Sequence, residues 1–151
     1  MAEDSTVATL RHSRRVDELL LELMWEIGLR VTHHDESKLE DPEKAIFDEF
    51  TPKLRDTTYG SDEYKGYLKE MGVALQHHYA NNRHHPEHFE NGVDGMTLVD
   101  LVEMLADWKA ATERHADGDL ARSLEIQKER FGLTHQLVSI LRNTAVEAGW
   151  L

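Results

Sequence analysis

The sequence contains no cysteine, which removes disulfides, thiolate metal sites and cysteine nucleophiles together. Proline is scarce at 3 and glycine moderate at 9, while 40% of the 151 residues are hydrophobic and 30% charged. That balance excludes a disordered or fibrous chain. A length of this order fits one domain over residues 1–151 that buries roughly 68–70% of the surface its unfolded form exposes. Positive charge is also in short supply: 17 basic against 29 acidic side chains leave a net charge of −12, and no basic stripe offsets it. A nucleic acid polymer is therefore not an expected partner. No apolar run approaches the ~20 residues of a membrane span, and the stretch MAEDSTVATLRHSRR lacks the apolar run of a signal peptide. The expectation is a cytoplasmic protein that does not engage a membrane.

What is present is helical periodicity. Val16, Leu19, Leu20, Leu23, Met24 and Ile27 follow 3–4 spacing, with Asp4 to Thr6 available as caps, so a helix is predicted near 5–31. Asp41-Pro42-Glu43 reads as a capping aspartate with proline at the first helical position, and Pro52 as the end of that short helix. Tyr64, Tyr67, Leu68, Met71, Leu75 and His78 give a face over 62–80 that Asn81-Asn82 ends or distorts. Thr97 caps a helix over 97–114 whose apolar side is Leu98, Leu101, Val102, Leu105 and Trp108. A last helix over 119–147 buries Leu120, Leu124, Phe131, Val138 and Leu141, with Gly132 a bend. No period-2 pattern interrupts these, and the fold class is all-α: a compact bundle of five or more helices.

Seven of the ten histidines fall in His33-His34, His77-His78, His84-His85 and His88. Without thiolates, imidazole and carboxylate are the groups that hold zinc, manganese or iron, and they must converge from several helices. His12 steps by four, three and four residues through Val16, Leu19 and Leu23, which puts it on the apolar face of the first helix. His78 continues the apolar face through Met71 and Leu75, whereas His77 points about 100° away. The acidic runs 36–43 and 103–113 read as solvated faces.

The order His12, His34-Asp35, Asp107 resembles the H…HD…D signature of the HD-domain superfamily of metal-dependent phosphohydrolases. Lys38, three positions after Asp35, matches the HD-x-x-K form of binuclear cyclic-dinucleotide phosphodiesterases. His84-His85-Pro86-Glu87 followed by Asp94-Gly95 is similar to their HHE…DG segment, and Ala106-Asp107-Trp108 to their terminal aspartate motif. The combination HHDESK, HHYANNRHHPEHF and EMLADW more closely resembles a small uncharacterised HD-like family of short bacterial and phage proteins.

The resemblance implies an HD-like helical domain in which His12, His34, Asp35 and Asp107 hold a first divalent metal. His78, His84 and His85 are then ligands of a second ion or act on the substrate, and Lys38 stabilises phosphate charge. Asp107 owes its ligand role to the resemblance alone, because periodicity sets it well away from the centre of the Leu98/Leu101/Leu105 stripe. The ion is manganese, iron, zinc, cobalt or nickel, in one copy or two. The implied activity is hydrolysis of a small anionic substrate, a nucleotide or related phosphate ester, with Lys38 and Arg83 supplying local positive charge. Two other readings stand beside it, an HD-fold diiron oxygenase and a non-catalytic metal-stabilised interaction protein. A homo-oligomer is compatible with all of them. A rival motif, His84-x-x-Glu87-His88, has the spacing of an inverted zinc-protease helix, but Pro86 biases His85 away from helical angles.

Overall fold

A computed structural model describes residues 4–58, 60–114 and 118–151. Among them the elements are seven α-helices and three short 3₁₀ turns, with no strand, so the chain is all-α. It divides into two compact units, one ending at His34 and one running Asp35–Leu151.

The first unit is α1, Ser5–His33, closed at its C-terminal end by His34. Asp4 is its N-cap, the side chain accepting from Thr6 N at 2.9 Å, and Arg30 and His33 complement the dipole in its last turn. An uninterrupted run rich in Leu, Arg and Glu, with no proline and one glycine, explains the 29-residue length.

The second unit opens with a 3₁₀ turn, Glu36–Leu39, and α2, Glu43–Arg55. The N-cap of α2 is Pro42 rather than Asp41, whose peptide bond to Pro42 is cis. The amide of Lys44, the second residue of the helix, bonds the carbonyl of Glu40 at 2.9 Å. Pro52 does not end α2: it sits in the last turn, where its missing N–H removes one bond, and the helix closes at Arg55. The single helix expected over 62–80 is interrupted after α3, Asp62–Glu70, and resumes as α4, Gly72–Asn81. Between them Met71 is fully buried with ψ near 1°, beside Gly72, whose weak helix preference lowers the cost of the break. Asn82 caps α4 in an extended conformation.

Two more 3₁₀ turns, Pro86–His88 and Gly92–Gly95, lead to α5, Leu98–Thr112. Thr97 and Asp100 form a reciprocal capping box at its start. The last expected helix is likewise two, α6 Leu120–Phe131 and α7 His135–Glu147. Gly132 stops α6 in the left-handed region at φ 62°, a helix end that a residue without Cβ adopts at little cost.

The core joins α5, α6 and α7 through Met104, Leu105, Trp108, Leu120, Leu124, Val138, Leu141 and Ala145, with Leu133 from the connection. The Trp108 and Phe131 rings stack at 6.3 Å between centroids. Of the expected stripe, Leu105 and Trp108 enter this core and Leu101 packs against it, whereas Leu98 and Val102 stay outside. The buried face of α5 gains Asp100 and Met104 beside Leu105 and Trp108, because the cap and ion pair of Asp100 need its side chain inside.

Candidate metal centre

Four side chains converge where the first 3₁₀ turn, α4 and the segment after it meet: Asp35, His78, His84 and His85, each offering one donor atom within 4.8 Å of the others. Asp35 precedes the 3₁₀ turn with φ 57°. This left-handed conformation is uncommon outside glycine, and Asp and Asn tolerate it best. Lys38 is held to it by a backbone bond from its N–H to Asp35 O at 2.9 Å. The Lys38 ammonium lies 2.5 Å from Asp35 Oδ2 and 5.1 Å from the Phe47 ring centroid. Lys38 thus pairs with Asp35 rather than with Glu36 or Glu40.

The other oxygen, Asp35 Oδ1, lies 3.4 Å from His78 Nε2 and 3.4 Å from His84 Nε2. His78 Nε2 and His85 Nε2 are 2.9 Å apart. His78 comes from the buried side of α4, as its periodicity predicts, and is 2% exposed. His84 lies in the turn after α4, where the His85 N–H bonds Asn82 O at 3.3 Å, and His85 is extended ahead of the Pro86–His88 turn. No helix carries His84 and His88 together, so the inverted zinc-protease motif is not realised. His88 instead contacts Tyr79 O through Nδ1 at 2.8 Å.

Behind the histidines stand carboxylates that periodicity assigns to solvated faces. Glu43, at the first position of α2, is 0% exposed. Its Oε2 lies 2.9 Å from His78 Nδ1 and its Oε1 2.6 Å from His77 Nδ1. Glu103 on α5, with a side chain 10% exposed, places Oε1 3.1 Å from His84 Nδ1. Asn82 ties α4 to the 3₁₀ turn by donating to Ser37 Oγ at 2.7 Å. Carboxylates partnering the outer nitrogens of inward-facing imidazoles are the usual support of metal-binding histidines. Glu43, Glu103, Ser37 and Asn82 escape sequence reading because their partners lie tens of residues away.

The titration behaviour of the histidines differs. Burial, then the charges of His84 and His78, pushes His85 down to about 3. Burial and then Lys38 lower His78. His84 is buried too, but the neighbouring carboxylates of Asp35 and Glu103 outweigh desolvation and raise it. Asp107, half-buried on α5, acts on His85 through its charge. It lies seven residues from Asp100, on the face that the rotated α5 turns inward.

The donor set fits a transition metal. Bonds of ~2.1 Å would separate two ligand atoms by roughly 3.4 Å at a tetrahedral angle and roughly 3.0 Å at a right angle, against 3.4, 3.4 and 2.9 Å here. Arg83, expected near a substrate, is instead spread over Asp100, with Nε 3.2 Å from Oδ1 and Nη2 3.0 Å from Oδ2. Of the remaining expected ligands, His12 lies on α1 and His34 caps it, both in the first unit.

The sequence profile of DUF5662, described as a family of unknown function, matches residues 1–147. The chain belongs to that family. No curated protein and no solved structure matches it. Among the described residues of this DUF5662 chain, no helix is long and apolar enough to cross a membrane.

Proposed function

We propose that this DUF5662 protein is a metal-dependent phosphohydrolase of HD type that acts on a small nucleotide or related phosphate ester. The observation that carries the reading is the convergence of three imidazole nitrogens and one carboxylate oxygen beside the Lys38 ammonium. Asp35, His78, His84 and His85 are the ligands. A divalent ion held by them would supply Lewis acidity and lower the pKa of water at the site toward neutral pH. Lys38, sharing Asp35, is placed to exchange that carboxylate for a phosphate oxygen and to stabilise the charge that develops there. The HD resemblance adds Asp107 as a further carboxylate beside Asp35.

The test is reconstitution of the ion-free protein with Mn²⁺, Fe²⁺, Zn²⁺, Co²⁺ or Ni²⁺, followed by a panel of nucleoside mono-, di-, tri- and cyclic phosphates. Metal-dependent phosphate release, abolished by chelator and by Asp35→Asn, is expected. Stoichiometric iron with oxygen consumption and no phosphate release would overturn the reading in favour of an oxygenase. Bound metal with neither activity would leave a binding protein.

A further inference from the structure

His78 Nδ1 has three polar neighbours: Glu43 Oε2 at 2.9 Å, Asn82 Nδ2 at 3.0 Å and Ser37 Oγ at 3.5 Å. These make opposite demands. A carboxylate needs Nδ1 to carry hydrogen, whereas an amide donor needs it bare. The remaining contacts of Asn82 resolve the conflict. Its amide nitrogen has two hydrogens, and two shorter contacts use both, one to Ser37 Oγ at 2.7 Å and one to His78 O at 2.8 Å. Glu43 therefore remains as the partner of Nδ1, and a carboxylate oxygen can only accept. Its other oxygen is occupied by His77 Nδ1, so the carboxylate is held from both ends and does not rotate freely.

We infer that Glu43 is a positioning residue that fixes His78 in the Nδ1–H form: its contact at 2.9 Å outweighs the competing carboxylate of Asp35, 3.4 Å from Nε2, and leaves the Nε2 lone pair available to a metal ion. An imidazole free to choose would place the proton on Nε2 in part of the population, and that nitrogen then cannot ligate. His77 serves the arrangement from outside: its half-exposed ring anchors Glu43 without facing the donor cluster. The functional consequence rests on the metal reading above, but the hydrogen placement is a property of the ion-free protein.

The experiment is long-range ¹H–¹⁵N correlation of the histidine rings in the ion-free wild type, Glu43→Gln and Glu43→Ala, with Zn²⁺ titration of each. The wild type is expected to show His78 with Nδ1 protonated and Nε2 bare. Glu43→Gln keeps an accepting oxygen and should keep that form. Glu43→Ala should give a mixture of forms and a Zn²⁺ affinity lower by about 10- to 100-fold. A wild-type His78 protonated at Nε2 overturns the inference. So does Glu43→Ala with the wild-type form retained, whatever its affinity. If Glu43→Ala does not fold, the wild type and Glu43→Gln decide. A wild type that binds no Zn²⁺ removes the metal reading, while the ring spectra still decide the role of Glu43.

Discussion

Asp35 and Lys38 are joined twice, by the Lys38 N–H to the Asp35 carbonyl at 2.9 Å and by the ammonium to Oδ2 at 2.5 Å. The turn that connects them therefore delivers a ligand and a cation to one point. Its cost is the left-handed backbone of Asp35, the kind of local strain that collects at functional sites.

Asp35→Asn and Asp35→Ala should separate these two roles. Both variants are expected to lose stoichiometric metal. Asparagine tolerates φ near 57° and should unfold close to the wild type, whereas alanine should lose about a further 1 kcal/mol. Urea denaturation of the ion-free proteins checks the difference, and equal stability of the two variants would contradict the backbone argument.

Lys38→Ala is expected to keep the metal and to lower kcat by roughly 10²-fold, the order found when one charge-stabilising donor is removed. Elemental analysis beside steady-state kinetics reads both quantities. Loss of the metal would show that Lys38 only secures Asp35.

Arg83 and Asp100 fasten the histidine segment to the start of α5. Asp100 is buried, which alone would raise its pKa, but hydrogen bonds from Arg83 and Thr97 hold it below the usual carboxylate range. A carboxylate depressed on folding contributes stability above its unfolded pKa, near 3.9, and that contribution is lost as pH falls through the folded value. Asp100→Asn should lower Tm at pH 7 and lower it less at pH 3. An equal decrement at both values would count against the ion pair.

Gly95 ends the last 3₁₀ turn before α5, and a Cβ there would lie 2.4 Å from Asn91 Oδ1 and 2.8 Å from Phe89 Cβ. Gly95→Ala is expected to cost about 1–3 kcal/mol through overpacking. Chemical denaturation checks it, and an unchanged midpoint would show that Phe89 yields freely.

The helices were legible where local chemistry decided them. Asp4 and Thr97 are side-chain caps at the expected starts of α1 and α5, and His78 is buried as the α4 periodicity requires. Long-range partners decided the rest. Burial of Met71 interrupts a pattern that is continuous in sequence, and the ion pair of Asp100 turns α5 so that Met104 replaces Leu98 and Val102 in the core. Histidine clustering marked the site, and the resemblance supplied Asp35 and Lys38. Glu43 and Glu103 looked like solvent-facing acids because a carboxylate's partner 35 residues away, as His78 is from Glu43, or 19 away, as His84 is from Glu103, leaves no local trace.

The most direct test of the metal centre is a Zn²⁺ or Mn²⁺ titration by calorimetry, comparing the wild type with His78→Ala, His84→Ala and His85→Ala under conditions where circular dichroism shows each variant folded. Tight binding by the wild type, weakened by at least 10-fold in every variant, is expected if the three imidazoles share an ion with Asp35. Binding of equal strength and stoichiometry in all four proteins would contradict it.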